Sequence, residues 1–496
     1  MHQPRTILIA SSIAFFLVAG ACALILDAHA YPSPDETASR VFMERVSRGL
    51  PMAIPDALNA QFGNVLHPRS TTIHDGALVP QGFPVVMALY GVLTRFTGVP
   101  VALWTPLLVA STLPMLFLLF REIIDRTHAL TATLLAYVHP QVLYYSIRGL
   151  YTNLIQVCLV IAMLTVLVRR GRFSLFFSGT LLGLAIAVRP SELVWVLFIV
   201  IAALIAMRSS ITVKDLLIFF TGVLVVGIPT LLLHLHLYGN SLFGYRIAHE
   251  ASHVLGQFSA RTALRRLAEY SGLLLWWWTP FALAGIGEAL RSVRQRPLPR
   301  LVCFIGVSVI VSAVLVLMYG SWQLRDTISE DPYTIGTSFA RYWIILPILS
   351  LPFVALGFSR LRLGKVFIGC FAIVSLLYPL VFSSESIAHA ISEGTQSRAV
   401  VARAQTQIPA HAVVLVERSD KIFWPTWRVV VGDSEQEKVL ALLPSLAARV
   451  PLYLDRDRDL AYATYWNADH LQRVGLELGE AITVSDTHTL LRITPR

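Results

Sequence analysis

The sequence predicts an α-helical polytopic membrane protein of about 11 transmembrane helices, followed by a small α/β domain at the C-terminal end. Composition is the first observation: of 496 residues, 55% are hydrophobic and only 14% charged, against roughly 25% charged in a soluble domain. Block length is the second. TILIASSIAFFLVAGACALIL (6–26), PVALWTPLLVASTLPMLFLLF (100–120) and DLLIFFTGVLVVGIPTLLLHL (215–235) are each long enough to cross a hydrocarbon layer of about 30 Å. The third is a change of texture from about residue 385, where charge returns and the apolar runs shorten. The net charge of +10 would suggest nucleic acid in a soluble protein. Here much of it lies in short loops between apolar blocks, where it sets topology, so nucleic acid is not an expected partner.

The spans are expected near 6–26, 100–120, 128–146, 152–168, 173–189, 191–207, 215–237, 268–290, 300–320, 340–358 and 366–384. Basic clusters at Arg121/Arg126, 169–172, Arg208/Lys214, 291–300 and 359–365 alternate with them. By the positive-inside rule this gives a multi-pass plasma-membrane protein with a cytoplasmic N-terminus. The first block has signal-peptide flanks, but its apolar core exceeds the usual 7–15 residues, so it reads as a retained anchor. QGFPVVMALYGVLTRF (81–96) is apolar but short, and reads as an interfacial or re-entrant helix. Loops 27–99 and 238–267 and the tail then lie outside, with a membrane domain over 1–384 and an extracytoplasmic domain over 385–496. In that tail AVVLVE (412–417), WRVVVG (427–432) and VPLYLD (450–455) read as strands, and 435–450 has helical spacing. Trp424 and Trp427 hint at glycan stacking. Cys22, Cys158, Cys303 and Cys370 all sit in apolar blocks, which argues against a disulfide framework or a cysteine metal site.

Just past the first block comes YPSPDETASRVFMERV (31–46). Ser33 suits the N-cap, Pro34 the first helical position, and Glu36 completes a capping box. Ala38, Val41, Phe42, Val46 and Leu50 then fall on one face, and Arg40, Glu44 and Arg48 at i, i+4 on another. This predicts an amphipathic helix over 34–50 at the membrane surface. The cap explains Glu36. Asp35 is less well explained, because a carboxylate there gains only helix-dipole stabilisation.

Two other function classes have some support. HEASH (249–253) has the spacing of a zinc metalloprotease helix, with His249 and His253 as ligands and Glu250 activating water. The position of a third ligand in the extended pattern is Ser259. A transporter would place charges mid-span or break helices in matching halves. Here charges gather at span ends.

The chain resembles the GT-C superfamily of integral-membrane glycosyltransferases, such as protein O-mannosyltransferases and lipid A aminoarabinose transferases. The resemblance covers the membrane region. It rests on PDE (34–36) after the first span, VPQGFPVVMALYGVLTRFTG (79–98), AYVHPQVLYYSIRGLYTN (136–153), GLAIAVRPSEL (183–193), LYGNSLFGY (237–245) and FARYWIILPIL (339–349). Relatives often carry Lys and paired prolines before the second span. This chain has VPQGFP there, and the loops expected outside ahead of the tail have Arg and His but no Lys.

The resemblance implies a polyprenyl-phosphate-linked sugar donor, a glycan, lipid or protein acceptor, and Asp35 as general base with Glu36 in support. One base implies a single inverting displacement. The leaving lipid phosphate needs neutralising charge, which Arg341, Arg189 and Arg148 at span ends can supply, although arginine also anchors span edges. Tyr245, Tyr342 and Tyr151 can stack on sugar or simply belong to an interfacial aromatic belt. His67, His74 and Asp75 in HPRSTTIHDG (67–76) are further substrate-contact candidates, or ordinary loop residues. Nothing in the sequence fixes a resident cofactor or a divalent metal.

Overall fold

The computed structural model describes residues 3–27, 31–169, 171–206, 212–239, 259–295, 299–321, 334–360, 365–432, 436–457 and 468–496. In chain order the helices are α1 Gln3–Asp27, α2 Pro34–Ser47, α3 Ala57–Gln61, α4 Pro84–Thr97, α5 Trp104–Phe120, α6 Arg126–Val138, α7 Pro140–Ile147, α8 Thr152–Leu167, α9 Arg172–Val188, α10 Leu193–Ala206, α11 Val213–Tyr238, α12 Ala260–Glu269, α13 Thr279–Gln295, α14 Pro299–Gly320, α15 Ser338–Tyr342, α16 Ile345–Arg360, α17 Lys365–Leu377, α18 Ile387–Gln407, α19 Asp420–Phe423, α20 Gln436–Ala447 and α21 Ala468–Arg473. The strands are β1 Ile54–Pro55, β2 Thr71–His74, β3 Ala77–Pro80, β4 Val413–Val416, β5 Arg428–Val431, β6 Leu452–Asp457, β7 Leu476–Thr483 and β8 His488–Pro495. Contacts group them into two compact units: Met1–Leu24, Ala102–Leu235 and Leu242–His389 in one, and Ile25–Val101, His236–Ser241 and Ala390–Arg496 in the other.

Among the described residues, five helical stretches are long and apolar enough to cross a membrane: Pro4–Asp27, Val101–Phe120, Val213–Tyr238, Pro299–Gly320 and Val366–Gln407. Three bent pairs raise the number to eight, with bends of 114° between α7 and α8, 115° between α9 and the stretch from Pro190, and 112° ahead of α13. The expected 128–146 span is interrupted, and proline explains this break as well as the end of α9 at the expected boundary between 173–189 and 191–207. The residue before proline is pushed out of the α region. His139 (φ −67°, ψ 124°) accordingly ends α6 before Pro140 inside the expected 128–146 span, and Arg189 (φ −152°, ψ 83°) ends α9 before Pro190.

In the first unit small residues set helix spacing, as they do where helices meet in lipid. A Cβ on Gly179 of α9 would lie 1.9 Å from the Phe219 carbonyl oxygen of α11, and one on Gly222 of α11 would lie 2.1 Å from that of Phe176. These backbones touch only because neither residue has a side chain.

The second unit joins the first loop to the tail. The segment expected over 81–96 forms α4, 14 residues long, about 21 Å at the α-helical rise and so shorter than a hydrocarbon core of about 30 Å. It packs against α2, and Gly91 permits the approach, since a Cβ there would lie 2.5 Å from Val46 Cβ and 2.7 Å from the Met43 carbonyl oxygen. The predicted apolar face of α2 is thus buried by protein at Ala38 and Phe42, while Leu50 lies beyond the helix and is exposed.

β1, β3 and β2 form an antiparallel sheet. A second, five-stranded sheet runs β5-β4-β6-β8-β7, with β5, β4 and β6 parallel and the last two pairings antiparallel. β4 is Val-Val-Leu-Val, buried at every position, as a central parallel strand must be. Phe62 and Leu66 from the first loop sit in the same core as Val413, Leu415, Val430 and Leu443. Arg428 Nε pairs with Asp56 at 2.7 Å. Trp424 and Trp427 are buried, Trp424 beside Phe42 and Trp427 donating to the Pro409 carbonyl at 3.0 Å, so they pack the core and offer no face to a glycan.

Candidate active site

In the second unit Asp35 is the second residue of α2. Ser33 is the N-cap (φ −119°, ψ 137°), but its Oγ accepts from the Asp35 N–H at 3.3 Å. The expected box placed that bond one residue later. Glu36 is fully buried, and Asp35 is partly exposed. Ser70 donates its hydroxyl to Asp35 Oδ1, from a left-handed backbone (φ 62°). The start of α2 is further fixed by Tyr31 and Arg40. The Tyr31 hydroxyl donates to Asp27 Oδ1 at 2.7 Å, and Arg40 Nε lies 3.1 Å from the same oxygen and 2.9 Å from Glu44 Oε1. Burial, followed by the charge of Asp27, holds the Tyr31 hydroxyl well above its ordinary pKa.

The other candidates in this loop have structural placements. Asp75 (φ 48°) and Gly76 (φ 72°) make the two-residue turn between β2 and β3. Positive φ at both central residues is what a tight hairpin requires. The Asp75 side chain is 90% exposed, 3.3 Å from His74 Nε2. The His74 ring lies against Gly239, and His67 Nδ1 lies 3.1 Å from the Pro68 carbonyl.

In the first unit the structure brings Arg148, Arg189, Arg341 and Tyr342 together. Each arginine stands at a helix end: Arg148 caps α7, Arg189 caps α9 at its proline break, and Arg341 lies in the last turn of α15. Cations are favoured at such C-terminal ends. All three are buried, with relative exposures of 6%, 2% and 7%.

Aromatic rings link them. Arg148 donates Nη1 to Tyr144 Oη at 2.7 Å and Nη2 to Tyr151 Oη at 3.1 Å. The Arg341 guanidinium carbon lies 4.3 Å from the Tyr151 ring centroid and 5.3 Å from that of Tyr342, and Arg189 lies 4.7 Å from Tyr342. Tyr342 is also stacked on Tyr319 at 4.4 Å and 7°. These cation–π contacts lower the penalty of burying charge.

Glu192 completes the cluster. It pairs with Arg189 Nε at 2.9 Å and accepts from Tyr319 Oη at 2.8 Å and Trp195 Nε1 at 2.5 Å. Tyr145 Oη donates to the Ile335 carbonyl at 2.8 Å and Gln141 Nε2 to that of Ala340 at 3.1 Å, which fastens α7 to the segment carrying Arg341. Three fixed forks of N–H donors suit the tetrahedral oxygens of a phosphate ester. The same unit holds an apolar cavity of about 500 Å³, lined by Tyr270, Leu275, Trp278, Val316 and Leu346 with His139 at its wall.

Sequence reasoning passed over Ser70, although it lies inside the quoted HPRSTTIHDG, and Glu192, inside GLAIAVRPSEL. Both are ordinary polar residues until their partners are known. Tyr245, His249, Glu250 and His253 lie outside the described residues. Among the described residues no group of three or more His, Cys, Asp or Glu is arranged to hold a metal ion.

No protein-family model matches the chain, and no curated protein sequence matches it. Solved structures do. The crystal structure of ArnT from Cupriavidus metallidurans bound to undecaprenyl phosphate aligns with a TM-score of 0.57 at 12% identity, covering 99% of this chain and 98% of that one. The chain shares this fold. The Archaeoglobus fulgidus oligosaccharyltransferase in its apo form aligns at 0.47 and 12% identity, over 90% of this chain and 70% of that one. The arabinofuranosyltransferase AftD from Mycobacteria aligns at 0.47 and 14%, over 97% and 41%. Likenesses of that size add nothing to the fold assignment, which rests on the first.

Proposed function

We propose that the protein is an inverting glycosyltransferase that moves a sugar from a polyprenyl-phosphate-linked donor to a glycan, lipid or protein acceptor at the outer face of a bacterial plasma membrane. In this reading the chain crosses about 11 times, with a cytoplasmic N-terminus. The observation that carries it is the ring-linked trio Arg148, Arg189 and Arg341, buried in a unit of apolar helices. A lipid phosphate is the ligand whose charge and surroundings match. Undecaprenyl phosphate in the ArnT structure of the same fold supports it, and the apolar cavity suits an isoprenoid or acyl chain.

The chemistry needs one base and one stabilised leaving group. Asp35 accepts the proton of an acceptor hydroxyl as that oxygen bonds to the anomeric carbon. The bond from the anomeric carbon to the phosphate oxygen breaks on the opposite face, which inverts the centre. The lipid phosphate departs with the electron pair, and the arginines neutralise its added charge. Glu36, the buried next residue of the first turn, supports the base.

The test supplies purified full-length protein with labelled sugars on a panel of polyprenyl phosphates and offers membrane fractions as acceptor. Transfer from at least one such donor, lost in Arg341→Met, is expected. Absence of transfer from every donor, with release of labelled peptides from a protein substrate instead, would overturn the reading in favour of a protease.

A further inference from the structure

We infer that Asp420 and Lys421, two adjacent residues of the tail, are positioning residues for Asp35. The inference rests on the reading of Asp35 as the base. Asp35 has two local supports, the Ser33 cap on its N–H and the Ser70 hydroxyl on its carboxylate. Both come from chain that is not regular structure, Ser33 ahead of α2 and Ser70 ahead of β2. Such segments need outside anchoring to hold a catalytic group to the tolerance of about 0.5 Å that reactions demand.

The tail anchors both. Asp420 is completely buried. It accepts from the Arg69 backbone N–H at 2.8 Å, from Arg69 Nε at 2.9 Å and from Nη2 at 2.5 Å. Arg69 Nη2 also donates to the Arg418 carbonyl at 2.7 Å. Side chain and backbone of Arg69 are therefore clamped together, and the next residue is Ser70. Lys421 donates Nζ to the Pro32 carbonyl at 2.6 Å and lies 2.9 Å from Glu393 Oε1, and the residue after Pro32 is Ser33.

The two tail side chains thus reach the two residues that precede the two supports of Asp35. Their own base is fixed as well: Ser419 donates its hydroxyl to buried Asp455, whose other oxygen lies 3.0 Å from His488 Nδ1. The brace is built from charge-assisted bonds, roughly twice as strong as neutral ones.

The experiment measures steady-state sugar transfer by the full-length enzyme. Asp420→Asn and Lys421→Met are each expected to lower kcat about tenfold with donor KM within about twofold, since misplacing a catalytic group by a fraction of an ångström has effects of this size. Lys421→Arg should keep most of the rate. Asp420→Asn combined with Ser70→Ala should be no slower than the slower single variant, because both act on one carboxylate.

Wild-type kcat in both Asp420→Asn and Lys421→Met overturns the inference. So does multiplication of the two losses, or a change confined to KM. If Asp420→Asn gives no folded protein, the Lys421 pair decides by the same criteria. Full activity in Asp35→Asn sinks the catalytic reading itself, whereas an inactive Asp35→Asn beside unimpaired Asp420→Asn and Lys421→Met sinks the brace alone.

Discussion

Ser70 gives its hydroxyl to Asp35 from a backbone conformation that L-residues avoid (φ 62°). Left-handed backbone disfavours a serine by about 1 kcal/mol, yet the position is held, with the Ser70 carbonyl accepting from Gln81 N–H at 3.1 Å and Arg69 clamped beside it. Strain kept at a single hydroxyl marks a residue whose side chain matters more than local stability. Ser70→Ala keeps the strain and loses the bond. It is expected to lower thermal stability by about 1 kcal/mol and transfer rate about tenfold, a split that thermal melts and kinetics on the same preparation resolve.

Arg341→Lys keeps a positive charge but loses the planar fork and the ring contacts to Tyr151 and Tyr342. Lysine is therefore expected to rescue poorly. A drop in kcat/KM for the donor of about 30-fold, on the order of 2 kcal/mol of lost stabilisation, is the expected outcome. Near-wild-type kcat/KM in the lysine variant would argue that Arg341 only marks a span end.

Arg69→Met removes the partner of a carboxylate that has no exposed surface. Leaving a buried charge unpaired is costly, and because Arg69 itself is 36% exposed the lower end of the usual range applies, about 3 kcal/mol. Thermal denaturation of the full chain should show this as a clear downward shift. An unchanged melting temperature would show that the first loop and the tail are held by their shared apolar core alone.

Tyr31 supplies a pH dependence with a definite sign. Its folded-state pKa is raised by burial and then by Asp27, so the folded protein holds this proton more tightly than the unfolded chain. The associated stability is complete below the unfolded value of about 10 and declines as pH rises through it toward the folded value. Melting temperatures of wild type and Tyr31→Phe should therefore converge between pH 9 and 11, flanking that value of about 10. Parallel curves would contradict the assignment.

The membrane class was legible because twenty-residue apolar blocks have few other meanings. The break at Pro140 was less so: it sits inside an expected span, and hydropathy does not register the dihedral that proline imposes on its predecessor, whereas the end before Pro190 falls at an expected boundary. Asp35 and the arginines stood out in the sequence only through the resemblance. Their supports did not. Ser70 meets Asp35 across 35 residues, and Arg69 meets Asp420 across 351, distances at which local spacing carries no information. For the same reason the sequence separated a tail at 385 from the first loop, whereas Phe62 and Leu66 complete the core of the five-stranded sheet. The cap at Ser33 was recognised, but its bond falls on Asp35 N–H, one residue from the expected partner.

The central assignment is Asp35 as the base, and Asp35→Asn tests it most directly, because asparagine keeps the size and the capacity to accept from Ser70 while losing basicity. The measurement is transfer of labelled sugar by purified, folded full-length protein, with melting temperature and donor binding recorded on the same sample. The expected result is a loss of kcat of at least about a thousandfold, as removal of an essential base entails, with stability and donor affinity preserved. Transfer at the wild-type rate by the folded Asp35→Asn protein would contradict it.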